Sequence, residues 1–141
     1  MAQYSAIFLV DDDPINNLIN KRLLGKVDIS KNISEFLDGE AALTEIEKIP
    51  KDDIILILLD INMPGLTGLD LQEELTKAKL VPPIIFLTGH GDIPTSVKAM
   101  KKGAADFLTK PVNDHDLLGA IKSALDKDRQ AKIEWQKQKD V

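Results

Sequence analysis

Residues 54–65 read Ile-Ile-Leu-Ile-Leu-Leu-Asp-Ile-Asn-Met-Pro-Gly, and this stretch indicates the architecture of the whole chain. Its apolar run, Ile54 to Leu59, is too short to span a membrane and lacks the alternation of a strand with one wet face. It predicts a strand that is covered on both sides, as in the middle of a parallel sheet. The strand ends at Asp60, and Met63-Pro64-Gly65 then makes a turn. A carboxylate at this end of a buried parallel strand lies where open α/β sheets bind their ligands.

The composition is that of one soluble globular domain of ordinary size. The chain has 141 residues, of which 43% are hydrophobic and 29% are charged. Its net charge of -5 argues against a general nucleic-acid or membrane surface. The absence of cysteine excludes a disulfide framework, a thiol nucleophile and a thiolate metal site. Because Asp11 comes too early for a secretory signal, the expected location is cytoplasmic.

Four further strand patterns alternate with helical patterns along the chain. The strands are predicted over Ala6–Val10, Ile29–Phe36, Ile84–Thr88 and Asp106–Lys110. The helices between and after the strands are predicted to bury these sets: Ile15, Leu18, Ile19 and Leu23; Ala42, Ile46 and Ile49; Leu71, Leu75 and Ala78; Val97 and Met100; Leu117, Ile121, Ala124 and Leu125. Five βα units with short connections predict an α/β fold: a doubly wound five-stranded parallel sheet with helices on both faces.

Four of the five strands end in a polar group. Asp11 and Asp12 follow the first strand, Asp60 the third, Thr88 ends the fourth and Lys110 the fifth. In a parallel sheet these ends share one edge, so the side chains should converge. Three close carboxylates repel each other, and Mg²⁺ relieves that repulsion. A lysine and a threonine beside the metal suit the remaining oxygens of a phosphoryl group, so the predicted chemistry is phosphoryl transfer to Asp60.

Four motifs resemble the receiver domain of a two-component response regulator, over about residues 5–128. They are Phe-Leu-Val-Asp-Asp-Asp-Pro from Phe8, Leu-Leu-Asp-Ile-Asn-Met-Pro-Gly from Leu58, Phe-Leu-Thr-Gly-His-Gly from Phe86 and Asp-Phe-Leu-Thr-Lys-Pro from Asp106. Together, in this order, they are a strong signal, although each is weak by itself. The resemblance implies the flavodoxin-like strand order 2-1-3-4-5.

The resemblance also implies a role for each site residue. Asp60 would be the phosphorylated residue, and Asp11, Asp12, Asp60 and the backbone carbonyl of Asn62 would hold Mg²⁺. Asp13 is interpreted as a helix cap and not as a metal ligand.

Three further residues match the family at the fourth and fifth strands. Thr88 would hydrogen-bond the phosphoryl group, and Lys110 would pair with it. Phe107 matches the switch aromatic, which is often a tyrosine in the family, so that a switch here would work by packing alone. The Lys110-Pro111 peptide matches one that is cis in the family.

The implied function is a phosphorylation-controlled signalling switch and not an enzyme. The implied partners are a sensor histidine kinase or a phosphotransfer protein, and a homodimer through the face of the fourth helix, fifth strand and fifth helix. Direct binding of nucleic acid or a membrane is not expected. Residues 66–130 look like receivers that precede a DNA-binding helix-turn-helix domain, whereas residues 5–65 look more like stand-alone receivers.

Several alternatives stay open. A phosphohydrolase with an aspartyl-phosphate often carries an acid two residues after the nucleophile, where this chain has Asn62. A receiver-shaped binding module that is never phosphorylated usually lacks one of the site residues.

His90 is interpreted as an exposed loop residue that tunes water access. We divide the chain into a receiver at 1–128 and a polar extension at 129–141, whose Trp135 is either solvated or part of a linker or dimer contact.

Overall fold

The computed structural model describes residues 4–27, 29–30, 32–50, 53, 55–80, 82–89 and 93–139, with 128–139 as helix backbone only. Strands and helices alternate as predicted. Their bounds are β1 (Ala6–Val10), α1 (Pro14–Gly25), β2 (Ile33–Phe36), α2 (Gly39–Glu47), β3 (Ile55–Leu59), α3 (Gly68–Lys77), β4 (Ile84–Thr88), α4 (Ile93–Lys101), β5 (Asp106–Thr109) and α5 (Asp114–Lys139).

The strands form one parallel sheet in the order β2-β1-β3-β4-β5, which confirms the order that the family resemblance implied. In the register of the sheet, Val10 lies beside Phe36 on one side and Leu59 on the other. The last residues of β1, β2 and β3 are therefore level with one another. Every residue of β3 is buried, as a strand in the middle of a covered sheet requires.

Two apolar clusters lie on opposite faces of the sheet. Along β1, Phe8 and Val10 belong to one cluster and Ile7 and Leu9 to the other, because successive side chains of a strand point to opposite faces. Helices α2, α3 and α4 contribute to the first cluster, and α1 and α5 contribute to the second. This arrangement confirms the prediction of helices on both faces.

The predicted buried face of α1 is wrong at three of its four positions, since of these four residues only Leu23 packs against the core. Ile15, Leu18 and Ile19 are 64%, 44% and 57% exposed. The buried residues of this helix are Asn17 and Leu24, two turns apart on one face. Asn17 is inside because its amide donates to backbone carbonyls at the ends of two strands, so a polar residue lies on the buried face of the helix.

The predicted packing of α4 and the end of α3 also differs from the structure. Val97 and Met100 are 45% and 44% exposed, and the buried residue of α4 is Ala99. The carbonyl oxygen of Ala99 accepts a hydrogen bond of 3.1 Å from the buried amide of Gln72 on α3. Helix α4 therefore contacts the rest of the fold through the small side chain of Ala99 and through the carbonyl group of the same residue. Ala78, the C-cap of α3, is exposed.

Other predicted boundaries shift by a few residues. Strand β2 begins at Ile33 instead of Ile29, and β5 ends at Thr109 instead of Lys110. Ile54 and His90 lie outside the described residues, as does the side chain of Trp135. Within the described ranges, no helix has both the length and the apolar character of a membrane span.

Stability measurements should distinguish the two faces of α1. Exposed Ile19 replaced by lysine is expected to change the free energy of unfolding by less than about 0.5 kcal/mol. Buried Leu24 replaced by alanine is expected to lower it by about 2–5 kcal/mol, because a cavity remains in the core. Urea unfolding of both variants measures the difference. Equal losses would contradict the observed orientation of the helix.

Candidate functional site

The carboxyl edge of the sheet brings together the three carboxylates that follow β1 and β3. Oxygens of Asp11, Asp12 and Asp60 all lie within 4.8 Å of one another. Asp11 and Asp60 are buried, whereas Asp12 is exposed. The convergence predicted from the strand ends is therefore present in the structure.

Backbone and side-chain donors fix the first of these carboxylates. The side chain of Asp11 accepts from the backbone N–H of Asp13 at 2.9 Å and from the amide of Asn16 at 3.3 Å. Asp13 turns its own carboxylate to the N-terminus of α1, where it accepts from the backbone N–H of Ile15. The prediction that Asp13 caps the helix is thus confirmed.

Lys110 reaches this cluster from the end of β5. Its Nζ lies 2.7 Å from Oδ2 of Asp11 and 3.9 Å from Oδ2 of Asp60. The hydrogen bond goes to Asp11, and Asp60 receives a longer electrostatic contact. The peptide between Lys110 and Pro111 is cis, as the family resemblance implied.

Thr88 and Asn62 line the other side of the cluster. Thr88 ends β4 and is fully buried, and its hydroxyl oxygen accepts from the amide of Asn62 at 3.5 Å. The backbone N–H of Asn62 donates to Oδ1 of Asp60 at 3.4 Å. Asn62 therefore contacts both Asp60 and Thr88, which come from neighbouring strands.

The electrostatic setting of Asp60 is unfavourable for its charge. Burial, and next the negative charge of Asp11, raise the pKa of Asp60 from 3.8 to about 6. Lys110 and the N–H of Asn62 act in the opposite direction and offset part of this increase. The site thus holds a destabilised carboxylate that a cation would stabilise.

The donor set fits Mg²⁺. This hard cation prefers carboxylate and carbonyl oxygens, and the three aspartates offer such oxygens at short mutual distances. The buried Asp60 also carries a charge that its protein surroundings do not fully compensate. Asp11, Asp12 and Asp60 are therefore the residues of this edge that would hold the ion.

Phe107 lies on β5, half-buried against the cluster that α2, α3 and α4 share with the sheet. Its ring centroid is 6.1 Å from that of Phe86 on β4, with the two planes tilted by 41°. The aromatic pair connects the strand that precedes Lys110 with the strand that ends in Thr88.

Three residues of the site region were missed from the sequence: Asn16, Asn17 and Gly68. Two adjacent asparagines inside a helix were an available signal, because asparagine usually avoids helix interiors and prefers to bond backbone groups. Gly68 begins α3 against the backbone of Asp60, and its sequence context carried no comparable signal.

Comparison with known proteins agrees with this geometry. Residues 7–122 match the model of the response regulator receiver domain. The chain is 43% identical over 124 residues to the response regulator protein TmoT of Ectopseudomonas mendocina, covering 87% of this chain and 54% of TmoT. It is 42% identical over 123 residues to Nodulation protein W of Bradyrhizobium diazoefficiens, covering 87% and 52%. The chain therefore spans about half the length of these curated relatives.

Solved structures of response regulators are also similar to this chain. The response regulator StyR superposes with a TM-score of 0.79 at 36% identity, over 96% of this chain and 67% of StyR. The structure titled FixJ-N superposes with a TM-score of 0.76 at 30% identity, over 86% of this chain and 94% of that one. Sequence match, fold and acidic pocket agree. The chain therefore belongs to the response regulator receiver domains of two-component systems, which carry out phosphorylation-controlled signalling.

Proposed function

We propose that Asp60 is the phosphoacceptor of this receiver domain and that a histidine kinase or a phosphotransfer protein is its donor. The observation that carries the proposal is the convergence of Asp60 with Asp11, Asp12 and Lys110 at the carboxyl edge of the sheet. A structural turn would not need three acids and a lysine from three strands at one place.

The three aspartates would share the binding of Mg²⁺, and Asp60 would in addition be the nucleophile. Asp11, Asp12 and Asp60 would hold Mg²⁺ together with the backbone carbonyl of Asn62. When bound, Mg²⁺ supplies positive charge that neutralises the carboxylates and the phosphoryl oxygens. Asp60 then keeps its carboxylate ionised at neutral pH, as a nucleophile must be.

In the transfer, a carboxylate oxygen of Asp60 forms a bond to phosphorus while the phosphorus–nitrogen bond of a phosphohistidine breaks. The imidazole leaves with the bonding electron pair and takes a proton from solvent. Lys110 is 3.9 Å from Asp60, close enough to turn towards a phosphoryl oxygen as its bond to Asp11 gives way. Thr88 would donate its hydroxyl proton to another of these oxygens.

The modification then changes the packing beyond the site. A phosphoryl group replaces one negative charge by about two, and it adds acceptor oxygens. The movement of Thr88 would open space in which Phe107 repacks against Phe86, since the two rings are already neighbours. Because Phe107 has no hydroxyl, this change depends on packing alone.

The readout would be the face of α4, β5 and α5, through a homodimer. Exposed apolar side chains on α4 support this proposal: Ile93, Val97 and Met100 lie about one helical turn apart along the helix. Phosphorylation must favour the second state by several kcal/mol to make it dominant, on the order of 5 kcal/mol for a complete shift.

The remaining parts of the proposal concern the extent of the domain and its chemistry. Residues 1–128 would be the receiver, and 129–141 a polar extension of α5. The domain would assist its own phosphorylation and dephosphorylation and turn over no other substrate. Membership of the family supports a cytoplasmic location and a role without direct binding of nucleic acid.

Intact mass spectrometry tests the proposal. Incubation with acetyl phosphate and Mg²⁺ is expected to add one phosphoryl group, about 80 Da, to the wild-type protein. Asp60→Asn should gain nothing, whereas Asp126→Asn, an exposed change on α5, should be labelled like the wild type. Omission of Mg²⁺ should prevent labelling.

Two outcomes would contradict this assignment. Absence of labelling under conditions that label a known receiver would favour a binding module that is never phosphorylated. Continuous hydrolysis of a phosphate ester such as p-nitrophenyl phosphate, lost in Asp60→Asn, would favour a phosphohydrolase.

A further inference from the structure

Asn17 is a buried polar residue of α1 that lies at the carboxyl ends of β1 and β2. It lies on α1 with 1% of its surface exposed, on the same face as the buried Leu24. Its amide nitrogen donates to the backbone carbonyl oxygens of Asp11 and Phe36, each at 3.1 Å. Burial of an amide is costly unless it is hydrogen-bonded, so these two bonds explain why the residue is tolerated inside.

The two acceptors stand at the ends of neighbouring strands. Phe36 is the last residue of β2, and its carbonyl oxygen also accepts from the backbone N–H of Asp11 at 3.1 Å. Asn17 and Asp11 therefore share one acceptor. The amide of Asn17 thus connects α1 to the ends of β1 and β2, next to the loop that carries Asp11 and Asp12.

Asp11 is held at its carboxylate and at its backbone. The carboxylate of Asp11 accepts hydrogen bonds from Lys110, from the amide of Asn16 and from the backbone N–H of Asp13. The amide of Asn17 donates to the backbone carbonyl oxygen of Asp11. Without its amide, the carbonyl of Asp11 would lose a buried partner, and the loop could turn to find another.

We propose that Asn17 is a positioning residue for metal binding: its double hydrogen bond fixes the backbone of Asp11 and thereby aims the carboxylates of Asp11 and Asp12 at the ion. This inference rests on the proposed function, in which these carboxylates hold Mg²⁺. Groups that orient metal ligands from behind commonly change metal affinity by about 10–100-fold when they are removed. Asn17 bonds a backbone group and not the ligand carboxylate, so we expect the lower end of that range.

The chain offers a matched control. Asn32 also donates its amide to a backbone carbonyl, that of Ser5 at 3.0 Å, but it lies before β2, at the opposite edge of the sheet from the aspartates. Asn17→Ala and Asn32→Ala each remove an asparagine amide that bonds the main chain. They differ in burial, since Asn32 is exposed and Asn17 is buried, and in their distance from the metal-binding loop.

The test is Mg²⁺ affinity measured directly by isothermal titration calorimetry on the folded, unphosphorylated proteins. Asn17→Ala is expected to raise the dissociation constant of Mg²⁺ about tenfold. Asn32→Ala should change it less than about twofold, because the exposed Asn32 amide bonds Ser5 at the other edge of the sheet. At Mg²⁺ concentrations that saturate the variant, Asn17→Ala should regain labelling by acetyl phosphate at the wild-type rate.

The outcomes separate this inference from the proposed function. Wild-type Mg²⁺ affinity in Asn17→Ala, or labelling that stays low at saturating Mg²⁺, would overturn the positioning role while the proposed function stands. Failure of the wild-type protein to bind Mg²⁺ would overturn both. If Asn17→Ala does not fold, Asn17→Ser keeps a donor at a shorter reach, and its dissociation constant should rise severalfold on the same argument.

Discussion

Gly68→Ala is expected to lower the free energy of unfolding by about 3 kcal/mol and to reduce phosphorylation of Asp60. A Cβ atom at position 68 would lie 2.4 Å from the carbonyl oxygen of Asp60 and 2.9 Å from the Cα of Ile61. Both are backbone atoms, which have no rotamer to change. The N-terminus of α3 would have to move away from the phosphoacceptor loop, or the loop would have to move away from α3.

Neighbouring contacts leave little room for that movement. The backbone N–H of Gly68 donates to the carbonyl oxygen of Ile61 at 3.1 Å. Thr67, just before Gly68, and Asp70, two residues after it, form a reciprocal capping box that fixes the first turn of α3. The strain of a methyl group would therefore reach Asp60 itself, and the rate of labelling should fall together with stability.

Gly119→Ala is the control for Gly68→Ala. Gly119 lies within α5, and a Cβ there meets no described atom within 4 Å. Alanine in place of glycine in a helix stabilises by about 0.5–1 kcal/mol. Chemical denaturation and acetyl phosphate labelling of both variants measure the effects. A Gly68→Ala variant as stable and as readily labelled as the wild type would show that the close approach is not needed.

Asp60→Asn is expected to stabilise the unphosphorylated protein by about 2 kcal/mol at pH 7.5 in the presence of a chelator. Burial, and next the charge of Asp11, raise the pKa of Asp60 to about 6 in the folded state, above its ordinary value of 3.8. The unfolded chain therefore gives up the proton at lower pH than the folded one. The favourable contribution of Asp60 to the free energy of unfolding is therefore complete below about pH 4, and it is lost as the pH rises through about 6.

The direction of this effect can be checked by measuring how the difference in free energy of unfolding between Asp60→Asn and the wild type depends on pH. The gain from Asp60→Asn should be largest above pH 7 and should shrink towards pH 4, where the wild-type carboxyl is neutral in both states. Mg²⁺ should narrow the gap at neutral pH, because it stabilises the wild type through Asp60. Lower stability of Asp60→Asn than of the wild type at pH 7.5 would contradict this account.

Asp70→Asn is the opposite case and serves as the control. Hydrogen bonds from Thr67 lower the pKa of Asp70, so its charged form favours the folded state. Stability from this group is present above its ordinary pKa of 3.8 and is lost as pH falls through the lower, folded-state pKa. At neutral pH, Asp70→Asn should therefore destabilise the protein while Asp60→Asn stabilises it. Urea titrations from pH 3 to 8 on all three proteins give the comparison.

Most of the fold could be predicted because the signals that specify it are local. Continuous apolar runs such as Ile84–Leu87 require cover on both faces, and the alternation of strands with helices then demands a parallel sheet. The convergence of Asp11, Asp60 and Lys110 followed from the same argument, because parallel strands of a sheet end at one edge. The strand order came from the resemblance of four motifs to a family, since periodicity does not specify which strands are neighbours.

The sequence by itself thus determined the βα alternation, the acidic edge and the residues that meet there. Only the tertiary structure decided that Ile15 and Ile19 face solvent while Asn17 is inside, that Lys110 bonds Asp11 and not Asp60, and that Gly68 touches the backbone of Asp60. The physical reason is the same in each case. Periodicity records that a helix has an apolar side, but burial, ion pairing and close approach depend on distances between residues as far apart in the chain as Asp11 and Lys110.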